Sequence, residues 1–199
     1  MGRPRQFDDE VVLNRAMETF WTHGYAATTP AQLAEATGVG TSSLYNAFHS
    51  KRELFDLCLD LYQTQVDAMA HSLLEQPGTT LECIRAAFRA VVDDDLAQGQ
   101  RRGCLIGNTI VELAGADPDL AARLKKMQDA SIQWIADRIR RGQVEGDVAS
   151  DKGRVASDKD SEVIAEHLAT TLAGLRVMGV LHDRATLYRV IDSALTILA

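Results

Sequence analysis

TPAQLAEATGVGTSSLYNAFHSK, residues 29–51, is the stretch whose reading decides the fold. Thr29 is a good N-cap, Pro30 suits a first helical position, and Gln32 stands where a capping box needs it. Leu33, Ala34 and Ala36 give a small apolar face, and Gly38 is a stop signal. Val39 plugs the turn that follows. A second helix opens near Thr41, with Leu44 and Phe48 four apart on one face. The pattern predicts two short helices around a tight turn, with Leu33, Val39, Leu44 and Phe48 as core. This is a helix-turn-helix, in which the second helix enters the DNA major groove, N-terminal residues toward the bases.

Outward from that stretch, composition agrees with a helical chain. Of 199 residues 46% are hydrophobic and only 6% aromatic, enough apolar material for a core without the alternation of strands. No run approaches the roughly 18 apolar residues of a membrane span, and MGRPRQFDDE does not read as a leader. Cys58, Cys83 and Cys104 are an odd number at unrelated spacings, as expected of reduced thiols in a cytoplasm. Charge is uneven. Residues 1–52 hold five basic and five acidic side chains, and the remainder sixteen basic against twenty-three acidic, the whole of the net −7. A neutral head on an acidic body fits a DNA reader whose body does not touch DNA.

On the N-terminal side, Arg3 and Arg5 precede any helical signal. They read either as a basic arm for phosphates and the minor groove or as a disordered terminus. Asp8 caps a helix to about His23, with Val12, Leu13, Ala16, Met17, Phe20 and Trp21 as its buried stripe. Gly24 ends it, and Tyr25 is expected under the turn.

FWTHGYAATTPAQLAEATGVGTSSLYNAFHSKRELFDLCLDLY resembles the N-terminal domain of the TetR family of transcriptional repressors. Aromatic-x-x-x-Gly-Tyr, Thr-Thr, Leu-Ala, Gly-Val, Ser-Leu-Tyr and Lys-x-x-Leu-Phe fall at the family's spacing over about residues 7–62. The resemblance implies that Thr41, Ser42 and Ser43 face base edges and that Tyr45 reaches phosphate or a thymine methyl. It implies a phosphate anchor at Lys51; Asn46 and His49 share the helix, and Thr29 offers a hydroxyl or backbone N–H to a phosphate. Some members read guanine with an arginine early in the first helix of the motif. Pro30 and Ala31 stand there instead, which shifts specificity to Thr41–Ser43, the arm and DNA shape.

On the C-terminal side, Lys51 to about Glu75 reads as one long helix with a broad apolar face, a natural link between head and body. Pro77-Gly78 stops it, and a helix from Thr79 to about Leu96 follows. Asp93-Asp94-Asp95 reads as a solvated face rather than a metal site, because consecutive helical residues point different ways. Gly103-Cys104-Leu105-Ile106-Gly107-Asn108 leads a short helix to about Leu113. It resembles a branch of the family in which some members sense electrophiles through this cysteine. A helix N-terminus and nearby Arg101 and Arg102 favour thiolate; the competing reading is a buried small hydrophobe. A long helix is expected from about Asp119 to Arg141. The polar stretch 142–161 repeats Val-Ala-Ser-Asp-Lys at 148–152 and 155–159 and reads as a surface loop. Helices at about 161–182 and 185–198 are too apolar to stand alone, and in the family such helices pair with their copies.

The expectation is an all-α chain of about nine helices: a helix-turn-helix head at 1–50 and a ligand-binding and dimerisation body at 51–199. Double-stranded operator DNA, a second copy and an unknown small-molecule effector are the implied partners, with no membrane, cofactor or metal. Candidate effector-lining residues are Met69, Phe88, Cys104, Asn108, Met127, Trp134, His167 and Met178. An enzyme carrying an accessory motif is disfavoured, because no nucleophile elbow, phosphate loop or metal-spaced cluster is present. A constitutive architectural DNA binder is the third class.

Overall fold

The computed structural model describes residues 7–97, 102–148 and 158–198. Among these the chain forms nine α-helices and no strand. They are α1 (Asp9–His23), α2 (Pro30–Thr37), α3 (Thr41–Phe48), α4 (Lys51–Leu74), α5 (Thr80–Ala97), α6 (Leu105–Leu113), α7 (Pro118–Glu145), α8 (Asp158–Met178) and α9 (Arg184–Ala194), closed by a 3₁₀ turn at Leu195–Leu198.

Local chemistry sets most of these ends. Asp8 accepts the Glu10 N–H at 2.9 Å to open α1, and Gly24 closes it at φ 79°. The capping box at Thr29 and Gln32 is complete, and Gly38 ends α2 in the left-handed region. Ser50, Asp117 and Asp183 accept from Glu53, Leu120 and Thr186 to open α4, α7 and α9. Each such cap is worth about 1 kcal/mol.

Several boundaries differ from the sequence reading. Helix α7 runs past Arg141 to Glu145, because its stop is Gly146 at φ 81° and not the basic cluster. Arg138 then lies mid-helix and is buried, donating to the Gly78 carbonyl at 2.7 Å. Helix α8 begins at Asp158, inside the second copy of the duplicated segment, and Val148 at the head of the first copy is buried. The duplication is therefore no simple surface loop at either end; residues 149–157 lie outside the described residues. Asp95 also departs from a solvated face. Its carboxylate takes two hydrogen bonds from Arg176, at 2.7 and 2.9 Å, with both side chains about nine-tenths buried. Asp93 pairs with Tyr188 and Arg184.

Two apolar cores result. One joins α1, α2 and α3 to the first half of α4, to Leu105 and Ile106 of α6, and to Leu120 and Leu124 of α7. Leu33, Val39, Leu44 and Phe48 belong to it as expected. The other gathers Leu74 of α4, Ile84 and Phe88 of α5, Ile135 and Ile139 of α7, and the inner faces of α8 and α9. Helix α4 is common to both. Val163 and Val177 of α8, Leu181 in the turn after it, Val190 of α9 and Ile197 of the 3₁₀ turn remain exposed.

Gly142 marks where the start of α5 crosses α7. A Cβ there would lie 2.0 Å from Thr80 Oγ1 and 2.3 Å from Asp147 Oδ1. Helix propensity alone credits Gly→Ala with about 1 kcal/mol. Overpacking costs about 1–3 kcal/mol in the other direction and should win. Gly142→Ala is expected to lower the urea midpoint; a raised midpoint would show that the crossing yields.

Candidate nucleic-acid interface

The head presents one exposed polar face. Leu44 and Phe48 turn α3 inward, which leaves Ser42, Ser43, Asn46 and His49 exposed and Thr41 half-buried beside them. Gly40 precedes α3 without a side-chain cap, so no side chain shields its first N–H groups. A helix N-terminus in that state favours anions such as phosphate.

His49 follows in an unusual conformation, φ 62° and ψ −51°, and the Ser50 N–H donates to the Phe48 carbonyl at 2.7 Å. This is a γ-turn of the rarer positive-φ kind, carrying strain of about 1–3 kcal/mol. It lets Ser50 cap α4 at once and brings Lys51 beside the end of α3. The Lys51 ammonium rests 4.5 Å from the centroid of the Tyr25 ring, and Tyr25 packs on Phe55 at 4.8 Å.

Two candidates are placed otherwise than their expected roles need. Thr29 spends its backbone N–H and hydroxyl on Gln32, at 2.8 and 2.9 Å. Its phosphate contact would compete with the capping box. The Tyr45 hydroxyl is buried without a hydrogen-bond partner. Burial, with Tyr25 close by, raises it above the usual phenol range. To meet a phosphate the ring must turn outward, away from the apolar contacts that hold it. Arg3 and Arg5 lie outside the described residues.

Behind the head, α6 makes the main polar contacts to it. Glu112 accepts the Tyr25 and Ala26 backbone N–H groups at 3.0 and 2.7 Å. Trp21 donates its indole N–H to the Gly103 carbonyl at 3.0 Å, and Arg102 stacks 4.2 Å from the Trp21 centroid while pairing with Glu18. Arg52 of α4 pairs with Asp117 at the start of α7. Cys104 is the N-cap of α6, half-buried. The Tyr62 hydroxyl donates to its sulfur at 3.6 Å and accepts from Arg176 at 2.9 Å. Burial pushes the Tyr62 hydroxyl well above its usual range. Burial alone would lower the Arg176 guanidinium; Cys104, Tyr62 and Asp95 outweigh it and raise it. No local signal in the sequence marks Glu112, and Asp95 reads there as solvated. For Arg176 the signal is there: it is the one charge of α8 after Glu166, set between Leu175 and Val177.

The eight effector candidates do not line one cavity. Met69 lines a pocket of about 220 Å³ with Trp21, Tyr62, Val66, Val91 and Arg176, and Cys104 adjoins it through Tyr62. Asn108 lines a separate cleft of about 400 Å³ between α1 and α6. Phe88 is buried in the body core and Met127 packs on the head-side core. Trp134 meets His71 edge-on at 5.2 Å, half in solvent. His167 borders an open groove between α8 and α9, and Met178 is exposed at the end of α8. Helical periodicity marks which side of a helix is apolar. It does not say which apolar side meets a void. Among the described residues no cluster of three or more His, Cys, Asp or Glu is placed to hold a metal ion, and no helix is long and apolar enough to cross a membrane.

A three-helix motif head clasped to a helical body defines a DNA-binding transcriptional regulator. Comparison with known proteins narrows the class. Residues 12–58 match the bacterial regulatory proteins, tetR family, and residues 80–195 match the tetracyclin repressor-like C-terminal domain. The chain belongs to the TetR family of transcriptional regulators. It is 34% identical over 148 residues to the HTH-type transcriptional repressor ComR of Escherichia coli, covering 72% of this chain and 70% of that protein. It is 29% identical over 203 residues to the HTH-type regulator YezE of Bacillus subtilis, covering all of both. A cysteine mutant of the TetR family regulator CifR, solved with 26-bp operator DNA, is 32% identical, with a TM-score of 0.84 over the whole of both chains.

Lys51→Gln is expected to weaken binding evenly across duplex sequences and to lower the slope of log affinity against log salt by about 1. Asn46→Ala is expected to relax base preference at one position, costing about 1–3 kcal/mol there. Fluorescence anisotropy over a salt series, and a bound-sequence selection, distinguish the two. An unchanged slope in the first or an unchanged motif in the second removes that residue from the interface.

Proposed function

We propose that the chain is a repressor that holds operator DNA as a homodimer and is released by a small molecule. Residues 1–50 serve as the reading head and residues 51–199 as the ligand-binding and dimerisation domain, in the cytoplasm where the DNA is. The observation that carries this reading is the exposed face of Ser42, Ser43 and Asn46 on a helix whose other face is buried. The likeness to an operator-bound regulator supports it. One short helix reads too few bases to bind alone, and two copies spaced about 34 Å apart meet successive major grooves. The exposed apolar residues of α8, α9 and the turn between them, such as Val177, Leu181 and Val190, supply the surface for pairing. The 220 Å³ pocket touches α1, α4, α5 and α8 together, so an occupant there bears on the head directly. A coupling of about 1–3 kcal/mol suffices for 5–150-fold release.

A second reading is favoured by the Cys104 environment, in which modification of the thiol by an electrophile or oxidant releases the DNA. The sulfur belongs to the N-cap residue of the helix that grips the head, and the Tyr62 hydroxyl donates to it.

Selection of bound duplexes from the DNA around the chain's own gene, followed by a screen for compounds that release them, tests both. Release by unreactive compounds, equal in wild type and Cys104→Ser, supports the first reading. Release by electrophiles that Cys104→Ser abolishes supports the second. A chain that enriches no duplex, or one that no compound or electrophile displaces, overturns both.

A further inference from the structure

The link from body to head that periodicity suggests is α4, which leaves the motif at Lys51. The structure contains a second link. The carboxylate of Glu112, in the last turn of α6, accepts two successive backbone N–H groups of the turn between α1 and α2, Tyr25 at 3.0 Å and Ala26 at 2.7 Å. Successive backbone N–H groups converging on one anion form a binding concavity. Backbone donors lose no rotamer freedom when they bond, and charge-assisted hydrogen bonds are about twice as strong as neutral ones. Gly24 lies so close beneath that a Cβ on it would sit 3.0 Å from the same carboxylate.

The contact is well placed to steer. Two residues beyond Ala26, Thr28 is buried and ties its hydroxyl back to the Gly24 carbonyl at 2.6 Å. Thr29 then caps α2. The turn that Glu112 holds therefore leads rigidly into the motif. The chain just ahead of the other end of α6 is fixed on α1, where Trp21 donates to Gly103. Nine helical residues span only about 14 Å, so a displacement at Gly103 or Cys104 is passed to Glu112 with little slack. Glu112 itself is exposed, and Val111 beside it is 90% exposed. Removing the carboxylate opens no core, so its effect falls on the orientation of the head and not on the fold.

We propose that Glu112 is a positioning residue for operator binding: from α6 it holds the α1–α2 turn and so sets the tilt of α2 and α3 on the body. The proposal rests on the operator-binding reading of the head.

The test compares the full-length chain with Glu112→Ala and Glu112→Gln, the latter keeping one acceptor oxygen. Amide exchange reports the contact, and anisotropy with a duplex enriched by the wild type reports its consequence. In Glu112→Ala, the Tyr25 and Ala26 amides are expected to exchange at least about tenfold faster with the rest of the head unchanged. Operator affinity should fall about fivefold or more. Glu112→Gln should lie between, and thermal midpoints should agree within about 2 °C, since little is unburied. Unchanged exchange overturns the proposal, and so does faster exchange with unchanged affinity. A general loss of thermal stability that accounts for the weaker binding overturns it too. A wild-type chain that enriches no duplex overturns the operator reading and the positioning role with it, while exchange still reports whether the contact exists.

Discussion

One helix must satisfy two cores. Helix α4 places Leu54, Phe55, Cys58, Leu59 and Tyr62 among the residues that hold the head together, and Leu74 among those of the body. Its 24 residues span about 36 Å. Each fully buried side chain of this size contributes about 1.5–3 kcal/mol, so neither end can leave its core without a large loss. The head is therefore not a bead on a linker. Its angle to the body is set by how α4 packs at both ends, and by whatever else crosses the junction.

What else crosses is polar and gathers at α6. The Gly103 carbonyl receives both Trp21 of the head and Arg176 of the body. Arg176 is held in turn by Asp95 and bonds Tyr62, whose hydroxyl meets Cys104. A buried arginine is tolerable only with such partners, and breaking a buried ion pair costs about 3–5 kcal/mol. The price is a junction with little freedom to slide. It favours discrete arrangements over continuous drift.

The helix-turn-helix was legible because its signals are local: Thr29 and Gln32 bond each other three residues apart, and Gly38 needs only its own φ. The end of α7 was misread because Arg138–Arg141 resembled a basic C-terminus, whereas Arg138 is drawn inward by the Gly78 carbonyl sixty residues away. Asp95 reads as solvated in the sequence because its partner lies eighty-one residues on, in α8. The family likeness has Tyr45 reaching phosphate or a thymine methyl; its hydroxyl is buried here, with Tyr25 close by.

The sequence by itself determined the all-α class, nearly every helix start, the core face of the motif and the residues left on its polar face. Each follows from contacts within about four residues, where capping, periodicity and glycine conformations act. Only the tertiary structure decided which apolar sides meet each other and which meet a void, that Asp95 and Arg176 pair in the interior, and that Glu112 reaches the head. Contacts such as that of Glu112 with Tyr25 and Ala26 join residues more than eighty positions apart, and no local spacing encodes which distant donor a carboxylate will find.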